Sequence, residues 1–239
     1  MKNVVTMLLV LSCTVGMANA VTLVDALGTS GGDEGLNGNG TWTHPAPDVY
    51  TNTFKLALNF HGPSTTTLIN EGGTLDLTNF PIGGSGDATY IQNSGVMTAT
   101  GQVDLGFKAD PAVGKIVMNG GIFQTVWMNV GFTDAGVGRL EVNGGAVEVA
   151  AQFNLQDDSS IDLTNGVITA GWEMLHAVAG IADGRITGFG SSANARYSLP
   201  GDGDNPVPGK YTLWAVPEPI TLSLLGLGGL AVLRRRNQA

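Results

Sequence analysis

The chain has 239 residues, of which 36 are glycine and only 13% are charged. Glycine is present at about twice its usual share and β-branched residues are plentiful, which favours many short strands joined by tight turns over a collagen-like or disordered chain. The formal net charge of −9 argues against nucleic-acid binding, because an acidic protein is repelled by phosphate backbones.

The first twenty residues have the layout of a secretory leader. Lys2 precedes a short apolar stretch, and Ala18 and Ala20 form an A-x-A cleavage site. We therefore predict a signal peptide over residues 1–20, removed by signal peptidase during export. A competing interpretation takes Cys13 as the acylated cysteine of an imperfect lipoprotein box. Because Cys13 is the only cysteine, the mature body has no thiol for disulfides, zinc sites or nucleophilic catalysis.

Residues 21–60 are loop-rich and irregular. They contain the glycine-dense segment Gly38-Asn39-Gly40, followed by a β-like run from Phe54 to Phe60. We interpret them as an N-terminal cap with an edge rung, a rung being one turn of the coil described next. The body as a whole has the size of a single domain.

Residues 61–190 contain five copies of an Asn-Gly-Gly-like turn between two short β-like runs. The corner glycines are Gly73, Gly95, Gly121, Gly145 and Gly166. They are separated by 22, 26, 24 and 21 residues. Such a period predicts one rung per copy, with glycine allowing the corners of neighbouring rungs to approach closely.

An aliphatic residue follows each corner after nine or ten positions, which gives a second feature in the same phase. These residues are Ile82, Leu105, Val130, Leu155 and Leu175. Each unit then holds three short strands with alternating apolar and polar residues. We predict an all-β fold, a short parallel β-helix (β-solenoid) of about five to six rungs. A meander of hairpins is the alternative. At the level of pattern the repeats resemble those of autotransporter passengers and pectate-lyase-like β-helices.

Asparagine and aspartate recur at equivalent positions of the units. Asn119 and Asn143 share one position, and Asp104, Asn129 and Asn154 share another. Stacked side chains of this kind can hydrogen-bond from rung to rung, so we expect two ladders on the surface of the coil.

Residues 191–215 are predicted to close the body with two strands, Arg196–Leu199 and Lys210–Trp214. The loop between them contains Asp202 and Asp204, which faintly resemble an oxygen-rich calcium loop. The downstream glutamate of an EF-hand is missing, so calcium is a weak expectation and no other cofactor is expected.

The last 24 residues, 216–239, contain three features in order. Pro217-Glu218-Pro219 comes first, an apolar run over residues 220–233 follows, and Arg234-Arg235-Arg236 comes last. The run is near the lower limit for a membrane-spanning helix, and the arginines are expected to stay on the cytoplasmic side. On these residues alone, the segment is a C-terminal membrane anchor.

This tail resembles the PEP-CTERM sorting signal of bacteria. The resemblance implies that the membrane enzyme exosortase recognises Pro217, Glu218 and Pro219, while the arginines stop translocation. Processing near the triplet then delivers the protein to the cell surface or extracellular matrix, often in organisms that make exopolysaccharide. Exosortase, the secretion machinery, the membrane and extracellular polysaccharide are therefore the expected partners, and nucleic acid is not.

Catalytic motifs are absent from the sequence. A polysaccharide lyase or hydrolase is the serious enzymatic alternative, because paired carboxylates on a β-helix can cleave glycans. Its candidate residues are Asp76, Asp104, Asp157, Asp158, Asp162, Arg139 and Arg185. We favour solvated turn aspartates and predict a non-catalytic structural or adhesive body, with a glycan-binding module as a further alternative.

Histidine and tryptophan give no stronger signal for a site. His44, His61 and His176 show no metal-ligand spacing, so structural or solvent-facing roles are expected for them. For the tryptophans, buried roles in the core or caps are favoured over stacking on sugars. They are Trp42, Trp127, Trp172 and Trp214.

Overall fold

The computed structural model describes residues 21–22, 34–36, 39–59, 63–107, 112–132 and 136–217. The predicted leader, His61 and the predicted membrane segment 220–233 lie outside these residues. The described strands, in chain order, are β1 (Val21–Thr22), β2 (Glu34–Leu36), β3 (Gly40–His44), β4 (Val49–Leu58), β5 (Thr65–Ile82), β6 (Asp87–Leu105), β7 (Val113–Met118), β8 (Ile122–Val130), β9 (Val137–Val142), β10 (Ala146–Val149), β11 (Phe153–Leu155), β12 (Ser160–Leu163), β13 (Val167–Ala170), β14 (Met174–Leu175), β15 (Ile186–Gly188), β16 (Ala195–Ser198) and β17 (Tyr211–Ala215).

Parallel pairing between successive repeats winds the chain into a solenoid of about six rungs with three faces. Face A holds the strands before the Asn/Gly corner, face B those after it, and face C those that end in the aliphatic residue. On face A, Leu68 pairs with Tyr90, Tyr90 with Ile116, and Ile116 with Leu140. This register confirms the predicted parallel coil and excludes the hairpin meander.

The interior is filled by every second residue of each strand. On face B, Leu75, Met97 and Phe123 occupy successive rungs at one inward position, and each is fully buried. Tyr90 lies between Phe80 and Phe123, with ring centroids 5.3 and 5.9 Å away in edge-to-face geometry. Burying each such side chain contributes about 1.5–3 kcal/mol, so the repeated alternation is the main source of stability.

Two interior amides reach the backbone at the A/B corner in the first rungs. Asn70 Nδ2 donates to the Gly73 carbonyl oxygen at 3.2 Å. Gln92 Nε2 donates to the carbonyl oxygens of Gly95 at 3.0 Å and Ile122 at 2.9 Å. The Tyr90 hydroxyl donates to Gln92 Oε1 at 3.0 Å, and burial raises the pKa of Tyr90. Polar side chains therefore occur inside the coil where corner carbonyls accept their hydrogen bonds.

The coil begins before residue 61. β3 pairs in parallel with β5, and β2 pairs with β4, so the segment interpreted as a cap contributes strands of its own to the rungs. On the later rungs, face A resumes at Val113 and Val137, where β7 and β9 begin.

The other end of the coil is closed by antiparallel pairing. β17 lies between β13 and β16 and runs antiparallel to both. A short helix, α1 (Ala177–Ala182), packs beside β15. β16 and β17 fall on the two predicted closing strands, and they cover the last parallel edge of face B, which would otherwise be open for pairing with another chain.

Candidate functional site

The corner glycines stack directly on one another. A Cβ atom on Gly95, Gly121 or Gly145 would lie 2.3–2.4 Å from the carbonyl oxygen of the corner glycine one rung earlier. These three glycines also have φ angles between 75° and 78°, which side-chain-bearing residues rarely adopt. Only glycine therefore allows this corner to pass close to the rung below it.

The first and last corner glycines make room for side chains instead. A Cβ atom on Gly73 would lie 2.4 Å from the His44 ring, and one on Gly166 would lie 2.2 Å from a Val142 methyl carbon. His44 is buried, with its Nε2 3.0 Å from the Thr74 carbonyl oxygen. Its Nδ1 has no hydrogen-bond partner within the described part of the chain. His176 lies on the surface at the start of α1.

Two ladders of side-chain hydrogen bonds run along the outside of the coil. At the A/B corner, Asn143 Nδ2 donates to Asn119 Oδ1 at 3.0 Å, Asn119 to Asn93 at 2.8 Å, and Asn93 to Glu71 Oε2 at 3.0 Å. The sequence pattern predicted the Asn119–Asn143 step, and the structure extends it over two further rungs.

The second ladder lies on face C. Asn129 Nδ2 donates to Asp104 Oδ1 at 2.7 Å, and Asn154 Nδ2 donates to Asn129 Oδ1 at 3.1 Å. Gln102 Nε2 also donates to Asp104 Oδ1, at 2.7 Å. Burial raises the pKa of Asp104, although the bonds from Asn129 and Gln102 act in the opposite direction. The carboxylate thus anchors a row of oriented amides.

Face C also carries an exposed tryptophan beside this ladder. Trp127 is 44% exposed and lies level with Gln102 on the previous rung. It borders a depression of about 330 Å³ that is also lined by Gln102, Asn129 and Gln152. We call this surface the amide platform, consisting of Gln102, Asp104, Trp127, Asn129, Gln152 and Asn154.

The expectation of buried tryptophans is wrong for two of the four. Trp127 and Trp172 are 44% and 61% exposed. Trp42 packs partly against the core, and Trp214 is half-buried on β17. The sequence contained a signal for Trp127, because alternation from the buried Met128 places residue 127 on the outside of the strand.

The candidate carboxylates of a glycan-cleaving enzyme are spread over the coil. Asp76 lies on face B, Asp104 on face C and Asp162 on face A, as their strand partners show. Asp162 Oδ1 accepts hydrogen bonds from Thr187 Oγ1 at 2.6 Å and the Gly190 amide at 3.2 Å. Arg139 is exposed on face A.

One corner brings two candidate residues together. Arg185 forms ion pairs with Asp157 at 3.3 Å and Asp183 at 2.8 Å, and its Nη1 donates to the Gln156 carbonyl oxygen. The bond from Arg185 lowers the pKa of Asp183. A glycosidase acid needs a carboxyl whose pKa is raised, so Asp183 is suited to charge pairing and not to proton donation. Asp158 is exposed nearby.

The predicted calcium loop is organised by its own side chains. Asp202 Oδ2 accepts a hydrogen bond from the Leu199 amide at 2.7 Å, and Ser198 donates to Asp204 Oδ1 at 3.2 Å. Asn205 Nδ2 donates to the carbonyl oxygens of Leu199 and Lys210. Among the described residues there is no group of three or more His, Cys, Asp or Glu side chains that could hold a metal ion.

Face B presents a shallow depression of about 630 Å³ below the closing loop. Thr98, Gln124, Val126 and Ala146 form part of its floor, and Val207 borders it from the loop. The lining is mainly small and aliphatic, with Glu148 as its one carboxylate. The depression could hold a ligand, but few of the side chains that line it could take part in a reaction.

The predicted sorting segment begins where the body ends. β17 ends at Ala215, and the Val216 amide donates to the Asn194 carbonyl oxygen at 2.8 Å. Pro217 is the last described residue of the chain and borders a small surface depression that is also lined by Trp214 and Phe189. The other predicted recognition residues, Glu218 and Pro219, and the arginine cluster lie outside the described residues, as do Ala18 and Ala20. No helix within the described ranges is long and apolar enough to cross a membrane.

Comparison with known proteins gives one match. Neither the curated proteins nor the solved structures contain a significant match to this chain. A family model described as the PEP-CTERM protein-sorting motif matches residues 215–237, which begin at the last residue of β17. The match implies that the protein is exported and handled by exosortase, with membrane anchoring before processing. The chain is thus a β-solenoid that carries a PEP-CTERM sorting motif at its C-terminal end.

Proposed function

We propose that the protein is a non-catalytic structural or adhesive component of the cell surface or extracellular matrix. The observation that carries the proposal is the position of the sorting motif, which starts at Ala215 as the closing strand ends. Exosortase processing near Pro217 and Glu218 leaves every rung of the solenoid intact. The product is a complete folded body presented outside the cell.

The engagement of the candidate carboxylates supports a non-catalytic body. Asp104 anchors the face C ladder, Asp162 accepts bonds from the neighbouring rung, and Asp157 pairs with Arg185. The bonds to Asp104 and Asp162 join one rung to the next, whereas Asp157 is fully exposed and its ion pair with Arg185 contributes little. A coil held together in this way presents a regular surface, which suits repeated contact with a matrix.

The export part of the proposal is tested by mass spectrometry of the protein produced in exosortase-containing cells. We expect a mature N-terminus at Val21, a C-terminus near the Pro-Glu-Pro triplet, and loss of Arg234 to Arg236. Glu218→Ala should accumulate with its tail attached, whereas Glu173→Ala, a change to an exposed glutamate of the body, should be processed normally. An intact tail on the surface-exposed wild-type protein would contradict the proposal.

The non-catalytic part is tested by incubating the exported protein with neutral and acidic polysaccharides. We expect no new reducing ends and no unsaturated products. Product release that is abolished by Asp157→Ala or Asp162→Ala would replace the proposal with the polysaccharide lyase or hydrolase alternative.

A further inference from the structure

We propose that the amide platform on face C binds a neutral polysaccharide, with a pyranose ring stacked on Trp127. This inference rests on the proposed function, because it names the ligand class through which an adhesive body makes contact. Three observations support it: the exposure of the indole, the hydrogen-bonding groups available around it, and a platform whose own residues carry no exposed charge.

Trp127 lies outside the packed interior of the coil. Its neighbours in the same strand, Phe123 and Met128, are fully buried, whereas the indole lies outside the coil and is 44% exposed. A large exposed aromatic side chain surrounded by polar groups is a feature of binding surfaces. The adjoining depression of about 330 Å³ is large enough for a small ligand such as one sugar ring.

The side-chain amides around the indole are held in fixed orientations and still have atoms that can form hydrogen bonds. Asp104 Oδ1 holds Gln102 Nε2 and Asn129 Nδ2, each at 2.7 Å. Gln102 Oε1 and Asn154 Oδ1 accept no bond from another described residue, and the Gln152 amide has no described partner. Vicinal sugar hydroxyls both donate and accept, as these amides do. Because the ladder already orders the amides, binding costs less conformational entropy than it would with free side chains.

The charge of the platform and of the whole chain determines which of the ligands that can stack on an indole are favoured. The only ionisable group of the platform, Asp104, is 5% exposed and shielded by its amide partners. The chain has a formal net charge of −9, which repels nucleic acids and polyanionic glycans. A neutral sugar chain meets no such repulsion and still offers an apolar ring face.

The arrangement of the platform indicates a polymer rather than a single sugar. Gln102, Trp127 and Gln152 lie on three successive rungs, with Gln102 paired to Trp127 and the Gln152 carbonyl oxygen bound by the Met128 amide. At about 4.8 Å per rung, the column extends for roughly 10 Å along the coil. A chain laid along the axis can therefore contact amides on both sides of the stacked ring.

The test is calorimetric titration of the exported protein with soluble β-1,4-glucan, β-1,3-glucan and mannan oligosaccharides, with oligogalacturonate as the anionic probe. We expect at least one neutral probe to bind and oligogalacturonate not to bind. Trp127→Ala should weaken binding at least about tenfold through loss of stacking. Gln152→Ala should weaken it about threefold or more through loss of one hydrogen bond.

Trp172→Ala is the matched control. Trp172 is 61% exposed, but its rung presents Glu173 and Leu175 at the positions that carry amides on the platform. Its replacement should change affinity less than twofold. Absence of binding to every neutral probe, tighter binding of oligogalacturonate, or equal losses for the two tryptophan variants would overturn the inference. A protein that is processed and exported normally but does not bind these glycans refutes this inference alone.

Discussion

Glycine has opposite surroundings in the coil and in the closing loop between β16 and β17. A Cβ atom on Gly121 in the coil would lie 2.4 Å from the carbonyl oxygen of Gly95 on the neighbouring rung. Around Gly201 and Gly203 in the loop, a Cβ atom would meet nothing within 4 Å. Glycine is thus a packing requirement in the coil and a local turn residue in the loop.

Buried amides differ between the two regions in the same way. Gln92 donates to Ile122, which lies one rung further along the coil. Asn205 donates to Leu199 and Lys210, both within the closing loop. Contacts in the coil therefore join distant parts of the chain, whereas those in the loop join near neighbours. Damage should therefore spread through the coil and stay local in the loop.

The largest effect is expected for Gly121→Ala. The substitution combines a left-handed backbone with overlap against Gly95, so the free energy of unfolding should fall by about 3 kcal/mol or more. Chemical denaturation of the exported protein measures this value. Gly201→Ala is the control and should stay within about 0.5 kcal/mol of the wild type. Similar losses for the two variants would remove the distinction between the regions.

The next effect is expected for Gln92→Met, which keeps side-chain volume and removes the amide. The Tyr90 hydroxyl loses its acceptor, and the Gly95 and Ile122 carbonyl oxygens lose a donor. The free energy of unfolding should fall by about 2–3 kcal/mol, measured by denaturation.

The corresponding change in the loop is Asn205→Ala. Hydrogen exchange should speed up for residues 199–210, while protection in the rungs stays unchanged. Faster exchange throughout the coil in this variant would show that the loop and the rungs unfold together, contrary to the comparison.

The smallest effect is expected for Asp104→Asn and depends on pH. Burial raises the pKa of Asp104 above 3.8, so the folded state favours the protonated form. The stability linked to this proton is full below pH 3.8 and is lost as the pH rises through the raised pKa. Relative to the wild type, the variant should therefore gain stability over this pH range, measured by denaturation at several pH values. A difference that does not change with pH would contradict the assigned cause.

Much of the coil could be predicted from sequence because its rungs repeat. The spacing of the corner glycines and the alternation of apolar residues place Leu105, Val130 and Leu155 on one inward column, and the strand register matches. The prediction is wrong at Leu175, which pairs with Asn154 and is 39% exposed. The pairing of Val147 with Ile168 and that of Asn154 with Leu175 have the same offset, so Leu175 lies opposite the outward Asn154. Met174 pairs with Phe153 and is the buried residue of this segment.

The candidate site was harder to predict, since it depends on which outward residues share a column. Spacing from the corner glycines relates Asp104, Asn129 and Asn154, so this ladder could be predicted. The association of Trp127 with Gln102 and Gln152 depends on rung register as well as on the outward direction of the indole. The repeat pattern also could not predict the antiparallel pairing of the closing strand, because this strand lies where the repeats end.

The central claim, that successive repeats stack in register, is tested most directly by disulfide cross-linking. Thr98 and Gln124 are partners on adjacent rungs of face B, and Glu148 pairs with Gln124 one rung further on. Thr98→Cys with Gln124→Cys should form a disulfide under mild oxidation, since adjacent strands are about 4.8 Å apart. Thr98→Cys with Glu148→Cys should not, because two rungs separate the thiols by roughly 10 Å. Peptide mass mapping of the oxidised exported protein reports both, and failure of the first pair or equal formation of the second would contradict the stacked coil.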